Sequence, residues 1–224
     1  MSDSPLFIVM EGTDGSGTTT QGDLLADALR RSGRTVVRTS EPSGGEIGTL
    51  IRRVLRGQVD RPLTPQIVAL LFAADRFQHC QDEIGPALAR GEVVVCDRYL
   101  GSSLSFQVVD GEGGITAQWL RSINRPIIEP DLCMLFDLPA EVTMQRIDKR
   151  GRPRELFEEL ETLTLVRKRY RALFRDPNAG LGKMLIIDGD RSREEIAYEV
   201  LGHVMDMIGE RASAQAARIA ASSS

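Results

Sequence analysis

A chain of 224 residues with 42% hydrophobic side chains can bury one well-cored domain, and its formal charge of −4 argues against general binding to nucleic acid or to an anionic membrane. Cys80, Cys96 and Cys133 are odd in number, widely spaced and set in or beside apolar runs, which predicts buried, reduced thiols rather than a disulfide framework or a zinc site. The N-terminal apolar run lacks a basic flank and is too short for a signal peptide. The longest run elsewhere, Ile67 to Ala74, is far too short to span a bilayer, so a cytoplasmic protein is expected.

In chain order, Leu6–Met10 reads as a strand buried on both faces. The stretch that follows, Gly12-Thr13-Asp14-Gly15-Ser16-Gly17-Thr18-Thr19-Thr20, meets the nucleotide-binding pattern G-x-x-x-x-G-K-[ST] at Gly12, Gly17 and Thr19, with Thr18 at the lysine position. Glycines there let backbone N–H groups wrap an anion, and the helix starting beside Thr19 aims its positive end at the same place. The Thr19 hydroxyl is suited to magnesium. An ordinary glycine-rich turn between strand and helix is the plainer alternative.

Thr19–Ser32 keeps Leu24, Leu25, Ala28 and Leu29 at helical spacing and ends at Gly33, a C-terminal cap. Thr35–Thr39 is a second strand, Glu41-Pro42-Ser43-Gly44-Gly45 a loop, and Ile47–Leu55 a short helix. Thr64-Pro65 is a cap followed by proline at the first helical position. It opens a long helix through His79 or beyond, with a break expected at Gly85-Pro86. Val93–Cys96, Leu132–Phe136 and Met184–Ile187 are further strands. Ala140–Lys149, Leu156–Phe174 and Ser192–Ile208 are helices, and the Ala- and Ser-rich tail 212–224 is expected to fray or be disordered.

Strands alternating with helices, without hairpin signals, imply one parallel sheet covered on both faces, with ligands beyond the carboxyl ends of the strands. That rule selects the loop at Glu11–Thr19, Glu41-Pro42, and Asp97-Arg98-Tyr99. An aspartate ending a strand often caps the next helix. It can also reach magnesium, and Arg98 beside it adds a phosphate-matched cation. Phe72 and Arg76 share one helix face, where a ring can stack on a base while the guanidinium donates to its edge; a core residue beside a solvated charge is the alternative.

Together, Glu11–Gln21, Glu41–Gly48, Leu71–Arg76, Asp97–Gln107 and the arginine-rich Arg146–Arg154 resemble the motif set of thymidylate kinases, in the same order and at similar spacing, over roughly Leu6 to Asp190. The resemblance implies a three-layer α/β P-loop kinase fold with a five-stranded parallel sheet, helices on both faces and an arginine-rich lid at about 146–158, within a single domain 1–211. It also implies ATP- and Mg2+-dependent phosphorylation of dTMP to dTDP, usually by a homodimer. By that resemblance Gly12 to Thr20 hold the ATP phosphates and Thr19 and Asp97 the metal. Asp14, Glu41, Arg52, Phe72, Arg76, Arg98, Ser103, Phe106 and Gln107 take the acceptor, and Arg150, Arg152 and Arg154 join Asp97 and Arg98 as catalytic groups, with Arg146 also in the lid.

The chain departs from the family pattern at Thr18, at Phe106, where tyrosine is common, and at Glu155-Leu156-Phe157-Glu158, where Asp-Arg is expected before the aromatic residue. Without a compensating cation, loss of the loop lysine predicts a fall in turnover on the order of 10²–10³-fold. Two other readings stay open: a deoxynucleoside kinase using Glu41 as general base, and a nucleotide-binding regulatory protein that has lost catalysis.

Overall fold

The structure, a computed structural model, describes residues 5–111, 114–149 and 159–222. Five strands form one parallel sheet: β1 (Leu6–Gly12), β2 (Val36–Ser40), β3 (Val93–Asp97), β4 (Leu132–Asp137) and β5 (Lys183–Asp188), in the order β2-β3-β1-β4-β5. This is the α/β architecture expected. β1 sits centrally because all its residues are buried and alternate between two cores. Leu6, Ile8 and Met10 join one core with Leu25, Ala26 and Leu29 of α1 (Thr18–Arg31) and Ile196, Val200, Val204 and Met207 of α9 (Arg193–Ser222). Phe7 and Val9 join the other, whose helical residues include Ala69, Ile84, Ala87, Leu104, Val166 and Tyr170.

These opposite-face residues come from α3 (Pro65–His79), the π-helical turn Cys80–Ile84, α4 (Gly85–Ala89), α5 (Leu100–Phe106) and α8 (Leu160–Leu173). The remaining helices are α2 (Glu46–Leu55), α6 (Ala117–Ile123) and α7 (Ala140–Asp148). Each fully buried Leu, Ile, Val or Phe contributes roughly 1.5–3 kcal/mol of transfer free energy. The two cores therefore fix the sheet, and with it the ends of its strands. Register makes those ends level: Met10 and Ser40 both pair with Asp97, so the loops after β1, β2 and β3 emerge side by side.

Three expectations change. Gly85-Pro86 does not break its helix. The chain stays helical from Pro65 to Ala89 through the π-turn, whose closing bond runs from Gly85 N–H to the Cys80 carbonyl. The wider turn accommodates Pro86, which has no N–H to give, and a Cβ on Gly85 would lie only 2.8 Å from the Cys80 oxygen. The tail is helical as far as Ser222, in keeping with the helix propensity of alanine. Helix α6 had no counterpart in the sequence reading, although Thr116 caps it by accepting from Trp119 N–H at 3.1 Å. At α3 the expected Thr64 cap and Pro65 start are both present. The three cysteines are buried and free, and among the described residues no helix is long and apolar enough to cross a membrane.

Candidate active site

The loop between β1 and α1 owes its shape to three glycines. A Cβ on Gly12 would lie 2.3 Å from Ser16 Oγ, and Gly15 and Gly17 have φ of +86° and +95°, a region L side chains rarely adopt. Helix α1 starts at Thr18 with no side-chain cap on its N–H groups and no acidic residue in its first turn. Its positive end is therefore left for an outside anion. Ser16 Oγ is buried with no hydrogen-bond partner among the described residues, and Thr18 is buried as well. The loop fits nucleotide phosphates.

Thr19 Oγ1 donates to Asp97 Oδ2 at 2.5 Å, while Asp97 Oδ1 is buried without a partner among the described residues. A hydroxyl and a free carboxylate oxygen at the edge of an anion loop suit Mg2+ that takes its other ligands from phosphate and water. Among the described residues, no cluster of three or more His, Cys, Asp or Glu could hold a metal alone. Arg38 of β2 backs the pair: Nη2 lies 3.6 Å from Asp97 Oδ2 and 3.3 Å from the Thr19 carbonyl oxygen. Gly22 leaves its room, since a Cβ there would meet the guanidinium at 2.7 Å.

Arg98 follows directly. It is the one non-glycine residue with positive φ (68°) among the described residues, and this turn brings its guanidinium back over the loop. It donates to the Gly12 carbonyl at 2.7 Å and to Asp14 at 2.8 Å, and lies 5.3 Å over the Phe106 ring. Burial opposes its charge, but Asp14 and other neighbouring groups leave its pKa above the ordinary arginine value. Glu11 secures this corner. Its buried carboxylate accepts from Tyr99 N–H, Ser102 N–H, Ser102 Oγ and Tyr170 Oη, tying the end of β1 to α5 and α8. Burial raises the Glu11 pKa above the usual carboxylate value, against the hydrogen bonds of Ser102 and Tyr170 and the charge of Arg98.

A cleft opens beside Arg98, lined by Asp14, Glu41, Pro42, Leu55, Phe72, Arg76, Arg98, Tyr99, Ser102, Ser103, Phe106 and Gln107. It gathers every acceptor residue expected from the sequence except Arg52. That side chain instead donates to the Ser43 carbonyl at 2.6 Å and to the Pro42 carbonyl, so it braces the loop after β2 from outside. Asp75 braces the same loop from within, accepting from Ser43 N–H at 2.7 Å and Ser43 Oγ at 2.6 Å. Gln107 Oε1 is buried without a partner among the described residues, at the wall where a ligand edge would lie.

Arg76 is neither solvated nor idle. It is 1% exposed; Nε donates to Glu41 at 2.8 Å, Nη1 to Asn124 at 2.6 Å, and Nη2 to the Tyr99 carbonyl and Ser103 Oγ, both at 3.1 Å. Glu41, which follows β2 and precedes a cis peptide at Pro42, thus faces a buried cation and, on its other oxygen, His79. Neither His79 nor Asn124 was singled out in the sequence. The signal for His79 was its position three residues after Arg76, on the same face of α3. Arg146 lies in the last turn of α7 and donates to the Gly189 carbonyl at 3.1 Å. Arg150, Arg152 and Arg154 lie outside the described residues.

The thymidylate kinase family model matches residues 10–200. A probable thymidylate kinase of Pyrococcus abyssi is 40% identical over 202 residues, spanning 88% of this chain and 95% of that protein. A thymidylate kinase of Pelotomaculum thermopropionicum is 39% identical over 202 residues, spanning 87% and 90%. A probable thymidylate kinase of Pyrococcus horikoshii is 42% identical over 167 residues, spanning 73% and 80%.

Proposed function

The chain belongs to the thymidylate kinase family, and on that premise we propose that it transfers the γ-phosphoryl group of ATP to the phosphate of dTMP, giving dTDP and ADP. One observation carries the reading: Arg98 stands between the anion loop and the apolar-walled cleft, hydrogen-bonded to Gly12 and Asp14 of that loop and stacked on Phe106 of that cleft.

An acceptor phosphate oxygen is already ionised at neutral pH, so the step needs positioning and positive charge rather than a base. The acceptor oxygen forms its bond to the γ-phosphorus as the bond to the β–γ bridging oxygen breaks, and that electron pair leaves with ADP. The backbone of Gly12 to Thr20 holds the donor phosphates. Arg98 draws the acceptor phosphate toward them, Phe72 covers the base, and Ser103 and Gln107 read its edge. Thr19 and Asp97 would hold Mg2+, which would offset the charge of the donor phosphates.

With Thr18 in the loop, the lid arginines Arg150, Arg152 and Arg154 supply the cation that transfer requires. The outer side of α3 exposes Ile67 and Leu70, 44% and 49% accessible, which supports a homodimer through that helix. A cytoplasmic location suits a nucleotide kinase.

Purified protein with ATP and Mg2+, offered dTMP, dUMP, thymidine or no acceptor, tests the reading. Phosphorylation of dTMP should far exceed that of thymidine, and equal or faster turnover of thymidine would overturn it. Glu41 is poorly placed as a base for a sugar hydroxyl, because its two oxygens already face Arg76 and His79.

A further inference from the structure

We infer that His79 is a positioning residue for the acceptor: as an imidazolium it holds Glu41, and through Glu41 the Arg76 guanidinium, in the arrangement that lines the cleft, so that acceptor binding weakens when the ring loses its proton. This rests on the reading of the cleft as the acceptor site.

Hydrogen accounting assigns both protons. Thr39 Oγ1 is 2.9 Å from Glu83 Oε2, and an ionised carboxylate only accepts, so the single threonine hydrogen goes to Glu83. Thr39 Oγ1 must then accept from His79 Nε2, 2.8 Å away, and Nε2 also lies 3.2 Å from Glu83. The other ring nitrogen, Nδ1, faces Glu41 Oε1 at 3.3 Å. Each nitrogen thus faces an acceptor, an arrangement that a neutral ring, with one lone pair turned on an oxygen, does not satisfy.

The charged groups around the ring agree. Glu41 faces it from the loop after β2 and Glu83 from the π-turn, while Asp75 and Arg76 lie on its own helix. Three carboxylates against one guanidinium favour the cation. Arg76 occupies the other oxygen of Glu41, and both Asp75 oxygens accept from Ser43. The His79 and Glu41 side chains are 1% and 2% exposed, so little water is at hand to replace a lost proton bond. Burial opposes the charged ring, yet the hydrogen bond and charge of Glu41, with Glu83 and Asp75, hold its pKa above the ordinary histidine value.

The test is the pH dependence of KM for dTMP, KM for ATP and kcat from about pH 6.5 upward, where the acceptor phosphate, with a second pKa of about 6, is mostly ionised. It is run on wild type, His79→Gln and Glu83→Gln, alongside NMR titration of the imidazoles. The chain has two histidines, His79 and His203, so the His79 resonance is assigned by its loss in His79→Gln.

Wild type should show KM for dTMP flat at low pH and rising about tenfold per pH unit above the His79 pKa read by NMR, with no such limb in KM for ATP. His79→Gln should lose the limb and carry a raised KM throughout. Glu83→Gln, whose native side chain is 44% exposed and not part of the cleft lining, should move the limb to lower pH while leaving the low-pH KM unchanged. If His79→Gln fails to fold, the shift in Glu83→Gln still decides.

A wild-type limb retained in His79→Gln, or left in place by Glu83→Gln, overturns this inference alone. A wild type inert toward dTMP overturns the reading of the site and this inference with it.

Discussion

Thr19 and Asp97, 78 positions apart in sequence, meet at 2.5 Å where the first turn of α1 faces the end of β3. If they hold the metal together, Asp97→Asn should lower kcat by more than about 10²-fold, the scale for losing one preorganised electrostatic contact. The Mg2+ concentration at half-maximal rate should rise in parallel. Thr19→Ser, which keeps the hydroxyl, should stay within a few-fold of wild type, and Thr19→Val should behave like Asp97→Asn. Titrating kcat against Mg2+ for the three variants checks this.

The charge missing at Thr18 sets the second expectation. At least one of Arg150→Ala, Arg152→Ala and Arg154→Ala should lower kcat by more than about 10²-fold, in the lower reach of arginine-finger effects. Thr18→Lys added to that variant should restore part of the rate. Turnover numbers for the three single and three double variants decide it; lid variants all within a few-fold of an active parent would place the compensating cation elsewhere.

Phe72 and Arg76 should separate into binding and stability. Phe72→Ala removes a half-buried ring from the cleft wall, so KM for dTMP should rise by the equivalent of about 1–3 kcal/mol of stacking while KM for ATP holds. Arg76→Ala takes the guanidinium from Glu41 in the interior while His79 stays on its other oxygen, and breaking a buried ion pair from one side costs roughly 3–5 kcal/mol. Its Tm should therefore fall by several degrees, whereas that of Phe72→Ala should change far less. Thermal denaturation beside steady-state kinetics distinguishes the two.

Arg98→Lys keeps a positive charge but cannot reach the Gly12 carbonyl and Asp14 with a planar fork. The expected outcome is a loss of about tenfold or more in kcat/KM for dTMP, with nearly unchanged binding of ATP measured by calorimetry. A lysine variant as efficient as wild type would show that charge alone suffices at this position.

Motif spacing made the strand ends legible, because buried β1 and β3 and the loops that follow them are written in consecutive residues. The roles of Arg52 and Arg76 were less legible. Arg52 was read as an acceptor contact, and the buried partners of Arg76, which does line the cleft, went unread, because sequence shows charge and spacing, not what else competes for the guanidinium. Ser43 and Pro42 carbonyls claim the first, and Glu41, Asn124 and Tyr99 the second. His79 escaped notice for a similar reason: its partners, Thr39 and Glu41, come from a different strand and loop, and nothing local announces them. Gly85-Pro86 misled because both residues usually end α-helices, and a π-turn has no strong local signature.

That π-turn makes the wall of the cleft sensitive to length. Ahead of it α3 must keep Arg76 and His79 on Glu41; behind it α4 must keep Ala87 in the core under the sheet. Inserting a further residue between Cys80 and Ile84, beyond the one extra residue the π-turn already absorbs, would turn one half by about 100° relative to the other. Either the polar anchor or the apolar one would be lost. Substitutions on the outer side of this helix leave both anchors in place, whereas a one-codon insertion does not, so insertions accepted by this chain should fall before Pro65 or after Ala89.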